Sequence, residues 1–347
     1  MPPPGAARAC SPEQVLVVIP ALNEAAAIEA CIASLRVDDR FMERVCIVVA
    51  DGGSTDGTRD IVKRMAADDP MLRLLNNPAR LQSAGINLAV KREAKPEHAI
   101  LVRCDAHAVY PPGYVRRVAE ALACRPEAAS VATVMDAAGD SGFARACAWV
   151  MDTPLGSGGS QHRGGTRPQW VDHGHHAGFR LSWFRRIGGY NPSFSHNEDA
   201  EYDRRLAQAG GRIWLAADIR LTYQVRRTPG GLRRQYWNYG RGRARTVLTH
   251  RMRPRLRQLV PVLNVLGLAG GLAGAALWPP ALIWPAAYVA ALLAVSLVGA
   301  LRLRGCAGLW AGAALGIMHT AWGLGFLRIW LPWIMTRRQA PTYAPKL

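Results

Sequence analysis

Four short, largely apolar runs recur in the first third of the chain, at residues 15–19, 45–50, 72–75 and 99–102, and each is closed by a polar residue or a proline. Runs this short, with little alternation between polar and apolar positions, are the pattern of strands buried on both faces, as in a parallel sheet. The sequence between them has helical periodicity. Ile28, Cys31, Ile32 and Leu35 recur at i, i+3, i+4 and i+7, with Asn23 as the predicted cap of their helix. Ile61 and Met65 mark a second helix, residues 81–90 a third, and Val115, Val118, Ala119 and Leu122 a fourth. Strands that alternate with helices in this way predict a doubly wound α/β sheet.

In such a sheet ligands bind beyond the carboxyl ends of the strands. The second run opens into Asp51-Gly52-Gly53-Ser54-Thr55-Asp56-Gly57-Thr58, and the fourth into Arg103-Cys104-Asp105-Ala106-His107. A carboxylate and an imidazole two residues apart, Asp105 and His107, suit a metal-bound phosphate. A polar strand end without a ligand has the same local sequence. Neither G-x-G-x-x-G nor G-x-x-x-x-G-K-[ST] is present, so a dinucleotide fingerprint and a P-loop are both unsupported.

Further along, residues 136–165 are rich in glycine and serine and predict a mobile loop that folds over a substrate. His173, His175 and His176 follow, close enough to suggest zinc but without H-E-x-x-H or a comparable ligand spacing. Then comes Asn197-Glu198-Asp199-Ala200-Glu201-Tyr202-Asp203, in which Asp199 and Asp203 share a face if a helix starts there. So dense a group of carboxylates is costly unless a cation or water compensates it.

Charge divides the chain. The formal net charge is +18, yet no acidic residue follows Asp218. Nine arginines lie in residues 233–257, and residues 259–278, 281–301 and 306–327 then read as three spans of bilayer length. Basic residues beside apolar spans favour a membrane surface over a nucleic acid as partner. The positive-inside rule puts the arginine cluster and the Arg302/Arg304 loop on the cytoplasmic side, so the first two spans form a hairpin. A third span would carry Arg337, Arg338 and Lys346 outward, against that rule, unless the last segment is re-entrant or interfacial. Gly267, Gly270, Gly271 and Gly274 suit close helix packing in lipid. The seven cysteines form no C-x-x-C pair, which suits a reducing compartment, and the first residues lack an apolar signal core.

Taken in order, Val18-Ile19-Pro20-Ala21-Leu22-Asn23-Glu24, the Asp51 loop, Asp105-Ala106-His107, Gly178-Phe179-Arg180, Gly188-Gly189-Tyr190 and Asn197-Glu198-Asp199 resemble the family 2 inverting glycosyltransferases. Within that family the chain looks most like the bacterial succinoglycan-biosynthesis glucosyltransferase group. The resemblance covers about residues 15–223 and implies the GT-A fold, a doubly wound mixed α/β sheet, followed by a C-terminal α-helical membrane region. The implied organisation is a disordered tail at 1–12, a cytoplasmic catalytic domain at 13–232, a basic juxtamembrane segment at 233–257 and membrane helices in 258–347. The implied location is the bacterial inner membrane, spanned more than once, with the catalytic domain in the cytoplasm.

It also implies roles. Pro20, Ala21, Asn23, Glu24, Asp51, Gly53, Asn87, Asp105 and Ala106 would bind a UDP-sugar donor. Asp105 and His107 would hold a divalent cation, and Asp199 would be the general base of an inverting displacement. Gly178, Phe179, Arg180, Glu198 and Asp203 would shape the acceptor side. Arg241 and Arg243 would meet an acceptor diphosphate or anionic headgroups, although membrane-proximal positive charge alone accounts for them equally well. The acceptor would be a polyprenyl-diphosphate-linked saccharide receiving one hexose, glucose by the resemblance, in exopolysaccharide biosynthesis. Two departures stand out. Asp-Ala-His replaces the commoner D-x-D, and an imidazole favours manganese over magnesium. The Q-x-x-R-W of processive synthases is absent, the comparable region reading Gln235-Tyr236-Trp237-Asn238-Tyr239. A processive polysaccharide synthase, a non-catalytic nucleotide-sugar-binding membrane scaffold and a zinc hydrolase are the competing readings.

Overall fold

The computed structural model describes residues 10–37 and 39–336. All four predicted strands form, each reaching one or two residues further at its carboxyl end: β1 (Val15–Ala21), β2 (Cys46–Asp51), β3 (Leu72–Asn76) and β4 (Ile100–Arg103). The helices between them are α1 (Ile28–Arg36), α2 (Thr58–Asp68) and α3 (Gln82–Glu93), followed by α4 (Tyr114–Ala123). The chain steps outward from β1 to β2 to β3, all parallel, then returns through α3 to lay β4 on the free side of β1. That reversal opens the crevice between the carboxyl ends of β1 and β4 where ligands of open α/β sheets bind. Asn23 does not cap α1, which begins at Ile28. Its backbone is left-handed (φ 58°) and its amide oxygen accepts from the Thr55 N–H instead.

The remaining strands are β5 (Ala128–Ala138), β6 (Gln169–Val171), β7 (His175–Arg180) and β8 (Arg212–Gln224). They complete an eight-stranded sheet of order β3-β2-β1-β4-β7-β5-β8-β6, in which β7 runs antiparallel to both β4 and β5. The result is a mixed sheet. Helices α5 (Gly142–Asp152), α6 (Pro154–Ser157), α7 (Leu181–Arg186) and α8 (Glu198–Gln208) fall between these strands. After β8 come α9 (Pro229–Thr249), α10 (Leu256–Gly274), α11 (Ile283–Arg302) and α12 (Trp310–Thr336).

The chain divides into two compact units. The first holds residues up to Met135 with Gly165–Thr222. Its core joins Leu16, Val18, Val48 and Leu101 of the parallel strands to Phe179, Phe184, Tyr190 and Tyr202. The second holds Asp136–Gly164 and the described residues from Tyr223 to Thr336. Residues 136–165, predicted as a mobile loop, contribute the end of β5 and the helices α5 and α6, and all but Gly165 lie in this second unit. Phe143, Cys147, Val150 and Met151 of α5 are buried with Leu232, Tyr236, Leu315 and Met318. Glycine and serine counts mislead here because they overlook the apolar residues between them.

Two of the three predicted spans, in Leu256–Gly274 and Pro279–Arg302, are helices long and apolar enough to cross a membrane. They expose many large apolar side chains, including Leu263, Leu272, Leu293 and Leu297. The third lies within α12, which packs closely on α9 in the same unit. A Cβ at Gly240 would stand 2.0 Å from the Trp322 carbonyl oxygen, and one at Gly325 would stand 2.2 Å from that of Trp237. Glycine at both positions lets the two backbones touch. Arg337, Arg338 and Lys346 lie outside the described residues, as do residues 1–9 of the predicted tail.

Candidate active site

The first unit gathers most of the predicted site at the carboxyl ends of β1, β2 and β4. Pro20 and Ala21 end β1, with Ala21 in register with Asp51 at the end of β2. Asp51 is fully buried and already well provided with donors. Its Oδ2 accepts from Arg59 (2.6 Å) and from the backbone N–H groups of Gly53 (2.9 Å) and Ser54 (3.2 Å). Burial alone would raise its pKa, but the bonds to Ser54, Arg59 and Gly53 outweigh that and lower it. Residues 23–25 are fastened to the Asp51 loop by its side chains. Asn23 N–H donates to Ser54, Glu24 N–H to Thr58 and Ala25 N–H to Asp56.

Asp105 is half-buried beyond β4, its backbone N–H bonded to the Tyr110 hydroxyl at 2.6 Å, and Ala106 beside it is buried. Its Oδ1 faces Arg103 Nη2 at 3.3 Å and its Oδ2 faces His175 Nε2 at 3.2 Å. His107, which sequence pairs with Asp105, turns its exposed ring to Glu24 Oε1 at 3.3 Å. The imidazole at Asp105 therefore comes from β7. Burial opposes the charge on Asp105, but Arg103 and then His175 hold its carboxyl well below the usual range.

No group of three or more His, Cys, Asp or Glu among the described residues is arranged as a ready metal cluster. Asp105 and His175 nonetheless suit a divalent cation. Their facing atoms are 3.2 Å apart, close to the edge of an octahedron with bonds of about 2.1 Å. Among the described residues His175 Nδ1 is buried without a hydrogen-bond partner, so none of them ties the ring to another acceptor. A carboxylate with an imidazole suits manganese better than magnesium.

Asp199 lies in the first turn of α8 with Glu198 and Glu201, where the helix N-terminus favours negative charge. Its Oδ1 takes two bonds, from Arg103 Nη1 at 2.7 Å and from the Tyr190 hydroxyl at 2.7 Å. Burial would raise its pKa, but Arg103, then His176 and His175, hold it down. Glu198, beside it, goes the other way: burial and the charge of Asp199 push its pKa up to about 7. Its Oε1 accepts from Gln82 at 3.2 Å.

Asn87 acts through Tyr190. Its amide nitrogen donates to the Tyr190 carbonyl (2.7 Å) and its amide oxygen accepts the Tyr190 N–H (2.9 Å). Only glycine fits before Tyr190, because Gly189 has φ 65° and a Cβ there would stand 2.4 Å from Asn87 Oδ1. Asp203, one turn beyond Asp199, is buried and bonded to both His173 and His176. In β7 itself, Gly178 lets α4 approach, since a Cβ would meet Val118 at 2.6 Å. Phe179 is in the core, and Arg180 donates to the carbonyls of Leu122, Arg125 and Ala128. Arg241 and Arg243 belong to the other unit, on α9.

Sequence reasoning missed Arg103 and Tyr190 and considered His175 only for zinc. Arg103 left a signal, a lone charge ending an apolar strand beside the Asp105 motif. Tyr190 stands in the Gly188-Gly189-Tyr190 motif of the resemblance, but a tyrosine after two glycines reads as core and carries no sign that its hydroxyl reaches Asp199.

Comparisons with known proteins bear on the fold and the family. Residues 16–188 match the pattern of Glycosyl transferase family 2. The chain is 44% identical over 314 residues to the succinoglycan biosynthesis protein ExoA of Rhizobium meliloti, covering 90% of this chain and 94% of that one. Among solved structures it is similar to the mannosyltransferase PcManGT from Pyrobaculum calidifontis in complex with GDP-Man and Mn2+. That likeness has a TM-score of 0.55 and 22% identity over 90% of this chain and 87% of the other, and at that identity it is a likeness of fold.

Proposed function

The chain belongs to glycosyl transferase family 2 and is a glycosyltransferase of the GT-A fold, and from that premise we propose that it moves one hexose from a UDP-sugar to a saccharide carried on a polyprenyl diphosphate. Glucose is the sugar to test first. The process we assign is exopolysaccharide biosynthesis at the cytoplasmic membrane, in keeping with the printed name of the relative. The observation that carries the reading is that Asp105 and Asp199, 94 positions apart, bond the same buried guanidinium, Arg103, at 3.3 and 2.7 Å.

The mechanism is a single displacement. The acceptor hydroxyl lies against Asp199, whose carboxylate takes its proton as the hydroxyl oxygen bonds the anomeric carbon. The bond from that carbon to the diphosphate oxygen breaks on the opposite face, and the electron pair leaves with UDP. The configuration therefore inverts. Asp105 and His175 would hold a divalent cation, which would supply neutralisation of diphosphate charge. His107 and Glu24 border the donor side, and Asp51 keeps the nucleotide-facing loop in shape through Gly53 and Ser54. Charge density around Asp199 keeps it ionised and ready to accept a proton.

Membrane anchoring through α10 and α11 is part of the proposal. It is supported by their length and by the apolar side chains they expose. With the basic residues of 233–257 and Arg302 on one side, these two helices form a hairpin whose ends face the cytoplasm. An acceptor confined to the bilayer then meets an enzyme held at the same surface.

The test is transfer by the full-length protein in detergent, with manganese, a panel of UDP-sugars and lipid-linked saccharide extracted from a polysaccharide-producing bacterium. Mass spectrometry should show the acceptor heavier by one hexose, and the product should vanish in Asp199→Asn. A ladder of long products would instead make it a processive synthase. Transfer undiminished in Asp199→Asn would remove the assigned base.

A further inference from the structure

The Asp199 carboxylate is held by one oxygen only. Arg103 Nη1 and the Tyr190 hydroxyl both donate to Oδ1, and Arg103 Nη1 also lies 3.1 Å from the Tyr190 oxygen, so the three groups close a ring. Among the described residues no donor is bonded to Oδ2. Arg103 is 5% exposed and reaches from β4 with its second nitrogen on Asp105. A guanidinium so deeply buried is stable only when carboxylates face it, and its planar fork is the side chain that can serve two at once. Tyr190 is in turn fixed by both amide atoms of Asn87 and by packing on Phe179, Phe184 and Tyr202.

We propose that Arg103 and Tyr190 are the positioning residues of the reaction: together they clamp Oδ1 of Asp199, leave Oδ2 as the oxygen that takes the acceptor proton, and tie that carboxylate to Asp105 on the donor side. The inference rests on Asp199 being the base. It adds which oxygen acts and what aims it. A carboxylate free to rotate would present its two oxygens at random, whereas two hydrogen bonds donated to Oδ1 fix the plane and the outward lone pairs.

The groups that act on Asp199 come from four elements: Arg103 from β4, His175 and His176 from β7, Tyr190 from the segment after α7, and Glu198 from its own helix. Arg103 and Tyr190 alone among them bond the carboxylate directly. Arg103 also balances the negative charge that Asp105, Glu198 and Asp199 concentrate in one place.

Two variants separate positioning from folding. Tyr190→Phe keeps the buried ring and removes only the hydroxyl. Arg103→Lys keeps the charge, but one ammonium cannot reproduce a fork onto two carboxylates. With UDP-glucose and manganese as the probe and release of UDP as the readout, Tyr190→Phe should lower kcat about tenfold, the worth of one hydrogen bond to a charged group. Donor KM should stay within about threefold, since Tyr190 is fully buried and acts through Asp199. Arg103→Lys should lower kcat further.

The second readout needs no turnover. The infrared carboxylate band that Asp199→Asn removes belongs to Asp199, and its titration is followed in the full-length protein without metal or donor. In both variants that band should shift and titrate at higher pH than in the wild type. A band unchanged in frequency and titration in both variants overturns the proposal. If the wild type releases no UDP from any UDP-sugar, the functional reading fails, while the infrared measurement still decides whether Arg103 and Tyr190 hold Asp199.

Discussion

His175 Nε2 lies 3.2 Å from Asp105 Oδ2, although 70 positions separate the two residues. The antiparallel pairing of β7 with β4 brings the start of one strand to the end of the other. Ile100 is opposite Arg180 and Val102 opposite Gly178, so residues before Gly178 run past the end of β4 toward Asp105. His107, only two positions from Asp105, faces Glu24 instead.

That geometry predicts unequal effects of the two histidines on metal dependence. His175→Ala should raise the manganese concentration needed for half-maximal donor binding by about tenfold or more, as loss of a metal-site partner does. His107→Ala should raise it less. Calorimetric titration of donor binding at fixed manganese concentrations reads both, and chelation with EDTA should abolish tight binding in the wild type. Equal effects from the two variants would show that His175 has no special place at Asp105.

Asp199→Asn should lower kcat by about a thousandfold, within the range that a positioned general base supplies. The donor KM should change little, because the substitution keeps the side chain's size and removes proton-accepting capacity. Steady-state kinetics with the best UDP-sugar reads the split. A rise in KM at constant kcat would move Asp199 from base to binding residue.

Stability should depend on pH through the buried Asp203–His176 pair. Burial works against both charges, yet each partner's attraction prevails, lowering Asp203 and raising His176. The His176 contribution is full below its unfolded pKa of about 6.5 and is lost as pH rises through the raised folded value. The Asp203 contribution is full above about pH 4 and is lost as pH falls through the lowered folded value. The thermal midpoint should therefore be highest between those limits. Asp203→Asn should flatten both limbs and cost about 3 kcal/mol, as breaking a buried pair does. Identical pH profiles in the two proteins would exclude the pair as their source.

Gly240→Val should prevent α9 and α12 from meeting, because even the first added carbon would stand 2.0 Å from the Trp322 carbonyl oxygen. The expected loss is at least about 3 kcal/mol, the upper end for overpacking, since backbone rather than a flexible side chain blocks the new atoms. Gly270→Ala is the control, with nothing within 4 Å of its added carbon. Thermal unfolding of the detergent-solubilised proteins compares them. Equal midpoints for the two variants would mean that the helices do not approach at Gly240.

Much of the fold was legible because local patterns and global structure agree in the first half of the chain. The four parallel strands and the helices between them repeat a buried-run and amphipathic-helix pattern at short spacing, so each element can be recognised alone. The second half of the sheet was not legible. Strand β5 is rich in alanine, and β8 mixes the exposed Arg212 and Asp218 and the half-buried Arg220 with apolar residues, so neither shows a clean period. Residues 136–165 were misread because glycine and serine at helix ends mark caps as readily as loops. Ser141 and Thr153 do cap α5 and α6.

The sequence by itself determined the parallel strands, the loops at their carboxyl ends and the apolar helices α10 and α11, because each depends on composition or spacing within about twenty residues. Asp51 and Asp199 were singled out by the family resemblance and not by their local sequence. Only the tertiary structure decided what surrounds Asp105 and Asp199. Arg103 is adjacent to Asp105 in sequence, but nothing local indicates that its other nitrogen reaches Asp199. Whether a buried cation serves one carboxylate or two depends on strand order, the antiparallel return of β7 and the start of α8. That long-range pairing, which no short window contains, turns the D-x-H motif into a site built on Asp105, His175, Arg103, Tyr190 and Asp199.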